Sequence, residues 1–150
     1  MSSSYVRTQM TTFITTNSSE ANIVDLTAQY STQQNMLDDA GIGRNDPWLG
    51  LQFIGSSEEP ITLNSNNTTG KYREVGSVFL HVVERVKTTV ADDILTRAED
   101  LRTLLRGQRI NDIIIESVSP PNFESGATLQ FEGGYQSASI IVSYERDLNL

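Results

Sequence analysis

Three features of the sequence predict an α+β fold. Strand-like segments crowd the second half of the chain, one strongly amphipathic helix interrupts them, and a weaker helical segment opens the chain. The expected architecture is a mostly antiparallel sheet of about four to six strands, packed against one main helix and a shorter N-terminal helix. At 150 residues the chain suits one domain, 1–150, built around one core. Polar stretches at about 15–21, 31–46 and 55–71 read as long loops, because Ser, Thr, Asn and Pro favour turns over regular elements.

The first half gives the weaker signals. Tyr5, Val6, Gln9, Met10, Phe13 and Ile14 fit a short amphipathic helix. Asn22–Leu26 fits a short strand, and Pro47–Ile54 an alternating strand led by a proline. Between and after them lie tracts such as Thr15-Thr16-Asn17-Ser18-Ser19-Glu20, Ser56-Ser57-Glu58-Glu59-Pro60 and Asn64–Gly70, which are assigned to loops.

The second half is clearer. From Gly76 to Val86, Val78, Leu80 and Val82 alternate with Phe79, His81, Val83 and Arg85, the period of a strand, and apolar groups on both faces place it centrally. Thr89 can cap the helix that follows, and Asp92 sets negative charge beside its first N–H groups. Val90, Ile94, Ala98, Leu101 and Leu105 form its apolar stripe, which Ala91, Leu95 and Leu104 widen. Arg102 and Arg106 suit its negative C-terminal end, and Gly107 supplies a left-handed stop. Strands then follow at Ile113–Val118, Ala127–Glu132 and Ser139–Glu145, the last two read as a hairpin across Gly133–Ser137, with the final strand able to start as early as Tyr135.

Composition narrows the function. The net charge of -8 argues against sequence-blind binding of nucleic-acid phosphates over a broad face. The absence of cysteine excludes disulfides, thiolate metal sites and cysteine nucleophiles, and the single histidine, His81, excludes multi-histidine metal sites. No apolar run has the length of a membrane span, and Met1–Tyr5 lacks the features of a signal peptide, so a cytoplasm-like solvent and no membrane partner are expected.

Catalytic motifs fail on inspection. A phosphate loop ending at Gly70-Lys71 would need glycine where Ser65 stands, and Gly41-Ile42-Gly43 is followed by Asp46 where a dinucleotide fingerprint needs glycine. Asp38-Asp39 and Asp92-Asp93 lack the alternating oxygen ligands of a calcium loop and read as a solvated loop and a helix start. His81 lies inside a strand and nothing near Ser77 resembles a nucleophile elbow, so it reads as a structural or surface histidine. No catalytic residue, metal or cofactor is expected. Trp48 reads as a core anchor at a strand start, with an exposed contact aromatic as the alternative; Ile94, Leu101 and Tyr144 are the other expected anchors. Arg102, Arg106 and Arg109 form a modest cluster, either a solvated helix end or an interface for an acidic partner or passing DNA phosphate.

The order of motifs resembles the tail terminator and neck proteins of long-tailed bacteriophages over residues 46–147. The resemblance rests on the Asp46-Pro47-Trp48-Leu49 entry, the polar loop after it, the Arg73–x–x–Gly76 entry to a strand, the Ala91–Leu105 helix, and a closing strand ending in Tyr144–x–x–Asp147. The sequence departs from the family in its opening helix, shorter here than the family's. The resemblance implies a non-enzymatic virion protein, assembled in the host cytoplasm. Its copies would form a ring, commonly of six, that caps the tail tube at its head-proximal end. The implied partners are further copies of itself, the tail tube protein, a head-side connector or stopper, and DNA that passes without tight binding. A connector or stopper role is the alternative within the virion, and a small cytoplasmic hydrolase or ligand-binding module the alternative outside it.

Overall fold

The computed structural model describes residues 2–20, 22–26, 37, 40–43, 46–60, 71–85, 91–122 and 135–149. Its elements are α1 (Ser2–Asn17), β1 (Ile23–Asp25), β2 (Trp48–Pro60), β3 (Lys71–Arg85), α2 (Ala91–Leu105), β4 (Arg109–Ile110), β5 (Ile113–Val118) and β6 (Tyr135–Asn149). The fold is α+β. Its six strands form one sheet in the order β1-β2-β3-β6-β5-β4, antiparallel throughout except for the parallel β1–β2 pair.

The opening helix is longer than the Tyr5–Ile14 segment expected, reaching from Ser2 to Asn17. Val6, Met10 and Ile14, four residues apart, form its buried stripe. Its last turn uses residues read as loop, because their side chains bond back to carbonyls one turn earlier: Thr15 to Thr11 at 2.8 Å, Asn17 to Phe13 at 2.9 Å and Ser18 to Ile14 at 2.7 Å.

A second correction concerns the loop placed at 55–71. Its first part, Gly55–Pro60, continues β2 and pairs with Tyr72–Ser77 of β3. The register shifts between Phe53 and Gly55, so the strand carries an irregularity there and then resumes. Ser, Glu and Pro have weak strand propensity, and here the neighbouring strand supplies the template. Residues 61–70, the expected Thr89 cap, the Ala127–Glu132 strand and its hairpin lie outside the described residues. β6 starts at Tyr135.

The two sheet faces differ. On one, Leu49, Leu51, Val78, Leu80, Val82, Ala138, Ile140, Val142 and Tyr144 pack with Val6, Met10 and Ile14 of α1 and with Ile94, Ala98, Leu101 and Leu105 of α2. Leu95, placed on the apolar stripe of α2 by the sequence, is 37% exposed, so the buried stripe is narrower than expected. Gly107 ends the helix in the left-handed conformation, φ 76°. On the opposite face Trp48 and Val83 join Val24, Leu37 and Ile42 in a smaller cluster. Among the described residues no helix is long and apolar enough to cross a membrane.

Candidate functional site

The residues that carried the family resemblance meet on β3 and β6. These strands pair along their whole length, which sets Arg73 opposite Asp147 and Gly76 opposite Tyr144. Arg73 Nε donates to Asp147 Oδ1 at 2.9 Å, with Glu145 Oε2 at 3.8 Å. This hydrogen bond and the charges of Asp147 and Glu145 push the Arg73 guanidinium further up. Gly76 faces the buried Tyr144, whose hydroxyl donates to Glu74 Oε2 at 2.5 Å. Burial first, then the Glu74 hydrogen bond, pushes the Tyr144 phenol well above its ordinary range, so it stays protonated and donates.

Further charges sit around this unit. Arg146 stacks its guanidinium carbon 4.2 Å from the centre of the Tyr5 ring on α1 and lies 3.6 Å from Asp112. On the opposite face of the sheet, Glu116 shares a hydrogen bond with Glu145, which raises the Glu116 carboxyl above the usual range. The cross-strand neighbours Glu59, Arg73 and Asp147 continue this exposed, acid-rich surface.

The other end of the helix-covered face holds a buried ionic node. Arg97 of α2 grips Glu20 with two bonds, Nε to Oε1 at 2.9 Å and Nη2 to Oε2 at 2.6 Å. Its Nη1 donates to Glu84 Oε1 at 2.9 Å, and weaker bonds reach the carbonyls of Val83 and Trp48. Burial opposes the charge on Arg97, and the two carboxylates outweigh it, so its affinity for the proton rises. A groove of about 390 Å³ opens beside this node, lined by Ser19, Asp100 and Leu104 among others.

His81 is buried on the other sheet face. Its Nε2–H donates to Gln52 Oε1 at 3.0 Å, which leaves Nδ1 to accept from the Ser139 hydroxyl at 2.6 Å. Burial pushes it down to about 4, so the ring is neutral near pH 7. The Ser139–His81 contact has the residue types of a nucleophilic dyad, but it is a cross-strand pair in mid-sheet, with the histidine fully buried.

The three clustered arginines occupy different settings. Arg102, half-buried on α2, donates to the Val118 carbonyl at 3.2 Å, and so ties the helix to the end of β5. Arg106 is exposed in the turn after α2. Arg109 is exposed on β4 and donates to the Asn111 carbonyl at 3.0 Å. Trp48 is fully buried, as are Ile94 and Tyr144, and Leu101 is nearly so.

Sequence reasoning missed Glu74, Glu84 and the Arg97 node. A signal was present, because Glu74 and Glu84 share the even-numbered face of β3 with Val78, Leu80 and Val82, and a carboxylate on a core face needs a partner. Among the described residues no group of three or more acidic or histidine side chains is placed to hold a metal ion. In comparisons with known proteins, the chain matches no family model and no curated protein.

Proposed function

We propose that this chain is a non-enzymatic virion assembly protein of the tail terminator type, forming a ring at the head-proximal end of a phage tail tube. One observation carries the reading. The two separate motifs of the resemblance, Arg73–x–x–Gly76 and Tyr144–x–x–Asp147, fall in register, so that each residue of one motif has its counterpart in the other as cross-strand partner. The pairing gives the two motifs one shared place on the sheet. The placement of Trp48 at the start of β2 and of α2 between β3 and β5 follows the same motif order.

The physical character of the chain supports the role. A net charge of -8 suits a channel through which DNA slides without sticking. Among the described residues no strand lies beside β2 from Gln52 to Pro60, and such an edge suits a subunit whose backbone groups are completed by neighbouring copies. Electron microscopy of the purified protein, alone and with tail tube protein, tests the reading. Six-fold rings that cap tube ends support it, twelve-fold rings move the assignment to a head-side connector, and a monomer under both conditions overturns it.

A further inference from the structure

The six-stranded sheet ends in two edges of opposite charge. On one side β1 covers β2 only at Leu49–Leu51, and among the described residues no strand lies beyond β2 from Gln52 to Pro60. This open stretch carries the exposed Glu58 and Glu59. Glu58 stands opposite the buried Glu74, and Glu59 opposite Arg73, whose own hydrogen bond goes to Asp147. The opposite edge is β4, with exposed Arg109 on it and exposed Arg106 in the turn just before it. Among the described residues none of Glu58, Glu59, Arg106 and Arg109 enters an ion pair.

The edges also stand level with each other. One row of cross-strand partners runs Ser57–Val75–Glu145–Ile114–Arg109, and the next runs Glu58–Glu74–Arg146–Ile113–Ile110, each crossing from the open part of β2 to β4. Contact between different patches of identical subunits closes into a ring when it carries no rise along the axis, and builds a filament when it does. Edges at the same height along the strands let one copy follow the next without a built-in shift along the strand direction.

We infer that copies of this chain associate head to tail, the acidic β2 edge of one copy at Glu58 and Glu59 seating against the basic β4 edge of the next at Arg106 and Arg109. The inference rests on the ring reading proposed above and names its subunit contact. Opposite charges steer the two edges together, and the like-charged alternatives, β2 on β2 or β4 on β4, are repelled. The open backbone groups of β2 then face a neighbour instead of water.

Charge reversal tests the contact in the full chain. Glu58→Arg/Glu59→Arg and Arg106→Glu/Arg109→Glu should each weaken self-association at least about tenfold in sedimentation or light scattering, since each makes both edges alike in charge. An equimolar mixture of the two variants should recover association, because alternating copies restore every opposite-charge contact. The cysteine-free sequence allows a second measurement that needs no loss of assembly. Oxidising Ser57→Cys/Arg109→Cys, the two positions that share one row, should give a ladder of linked subunits, while each single variant stays unlinked. Dimers from Ser57→Cys alone would overturn the contact in favour of a two-fold one. Wild-type rings that give no mixed cross-link, and whose reversed variants still assemble, would overturn the contact and leave the ring reading standing. A wild-type chain that stays monomeric with tail tube protein present would remove both.

Discussion

A Cβ added to Gly76 would come within 2.6 Å of the Tyr144 hydroxyl, 2.7 Å of its ring and 2.8 Å of the Gly55 carbonyl oxygen. Glycine is needed here for close approach, because the Tyr144 phenol crosses the strand surface at that point to reach Glu74. Gly76→Ala should destabilise the fold by about 1–3 kcal/mol, the usual range for overpacking. Tyr144→Phe removes the donor from a buried carboxylate and should cost about 1–3 kcal/mol alone. In the double variant the oxygen that clashes most is gone, so the two effects should sum to less than their separate values in denaturant melts. Strict additivity would mean that the two side chains do not share this space.

Arg97 holds two carboxylates whose side chains are each only 8% exposed, Glu20 after α1 and Glu84 on β3. Arg97→Ala leaves both without their cation and should cost about 3–5 kcal/mol. Glu20→Gln/Arg97→Met/Glu84→Gln, which removes the charges together, should cost clearly less. A triple variant as unstable as the single one would show that the hydrogen bonds of the guanidinium, and not charge compensation, are what matter, since methionine keeps a stem of similar bulk.

His81 makes stability depend on pH. An ordinary histidine titrates near 6.5, and burial pushes His81 down to about 4, so between these values the unfolded chain takes up the proton first. The contribution is therefore complete above about pH 6.5 and declines as pH falls toward 4, with roughly 3 kcal/mol at stake. Thermal melts of wild type and His81→Gln across pH 4–7 should converge at the acid end, because only the wild type loses this contribution. Parallel curves would show that His81 does not control the acid response.

The phase of α2 offers a direct comparison. Leu101→Ala should cost about 2–5 kcal/mol, since the side chain is nearly fully buried in the main core. Leu95→Ala should cost clearly less, about 1 kcal/mol or below, because Leu95 is 37% exposed. Arg102→Ala should cost about 1 kcal/mol, through loss of its bond to the Val118 carbonyl. Equal losses at positions 95 and 101 would mean that the helix is rotated from this placement.

How far these elements could be read in advance follows from the range of the forces that form them. The Val78–Leu80–Val82 alternation and the Ile94–Ala98–Leu101–Leu105 stripe are local periodicities, visible in the sequence, and both are buried. Ser56–Pro60 offers no such period, because its strand conformation comes from pairing with Tyr72–Gly76 of the neighbouring strand. The two-residue β4 is too short to carry a pattern. Glu74 with Tyr144, and Arg97 with Glu20, are brought together by chain separations of 70 and 77 residues, which no local pattern encodes. The arginines at 102, 106 and 109 were legible as a group, but their division among a helix, a turn and an edge strand depends on where α2 stops at Gly107.

Passage of DNA and binding of DNA make different demands on charge. Tight sequence-blind binding needs several cations placed along phosphates, and each one neutralised adds to the salt dependence. Here Arg102 is turned to the Val118 carbonyl, Glu116 and Glu145 meet on one sheet face, and the net charge is -8. Free protein should therefore bind duplex DNA no better than roughly 10⁻⁴ M at physiological salt in fluorescence anisotropy, the weak end of the non-specific range. Arg102→Glu/Arg106→Glu/Arg109→Glu should stay folded by circular dichroism, because Arg106 and Arg109 are exposed and the bond from Arg102 to the Val118 carbonyl is worth only about 1 kcal/mol. If the arginines meet a neighbouring subunit, the triple variant should fail to assemble. Particles that assemble normally and cannot eject DNA would instead place the arginines on the channel wall. Micromolar binding by the wild type that collapses as salt rises would overturn the proposal that DNA slides past this protein without sticking, because an acidic surface has no means of producing it.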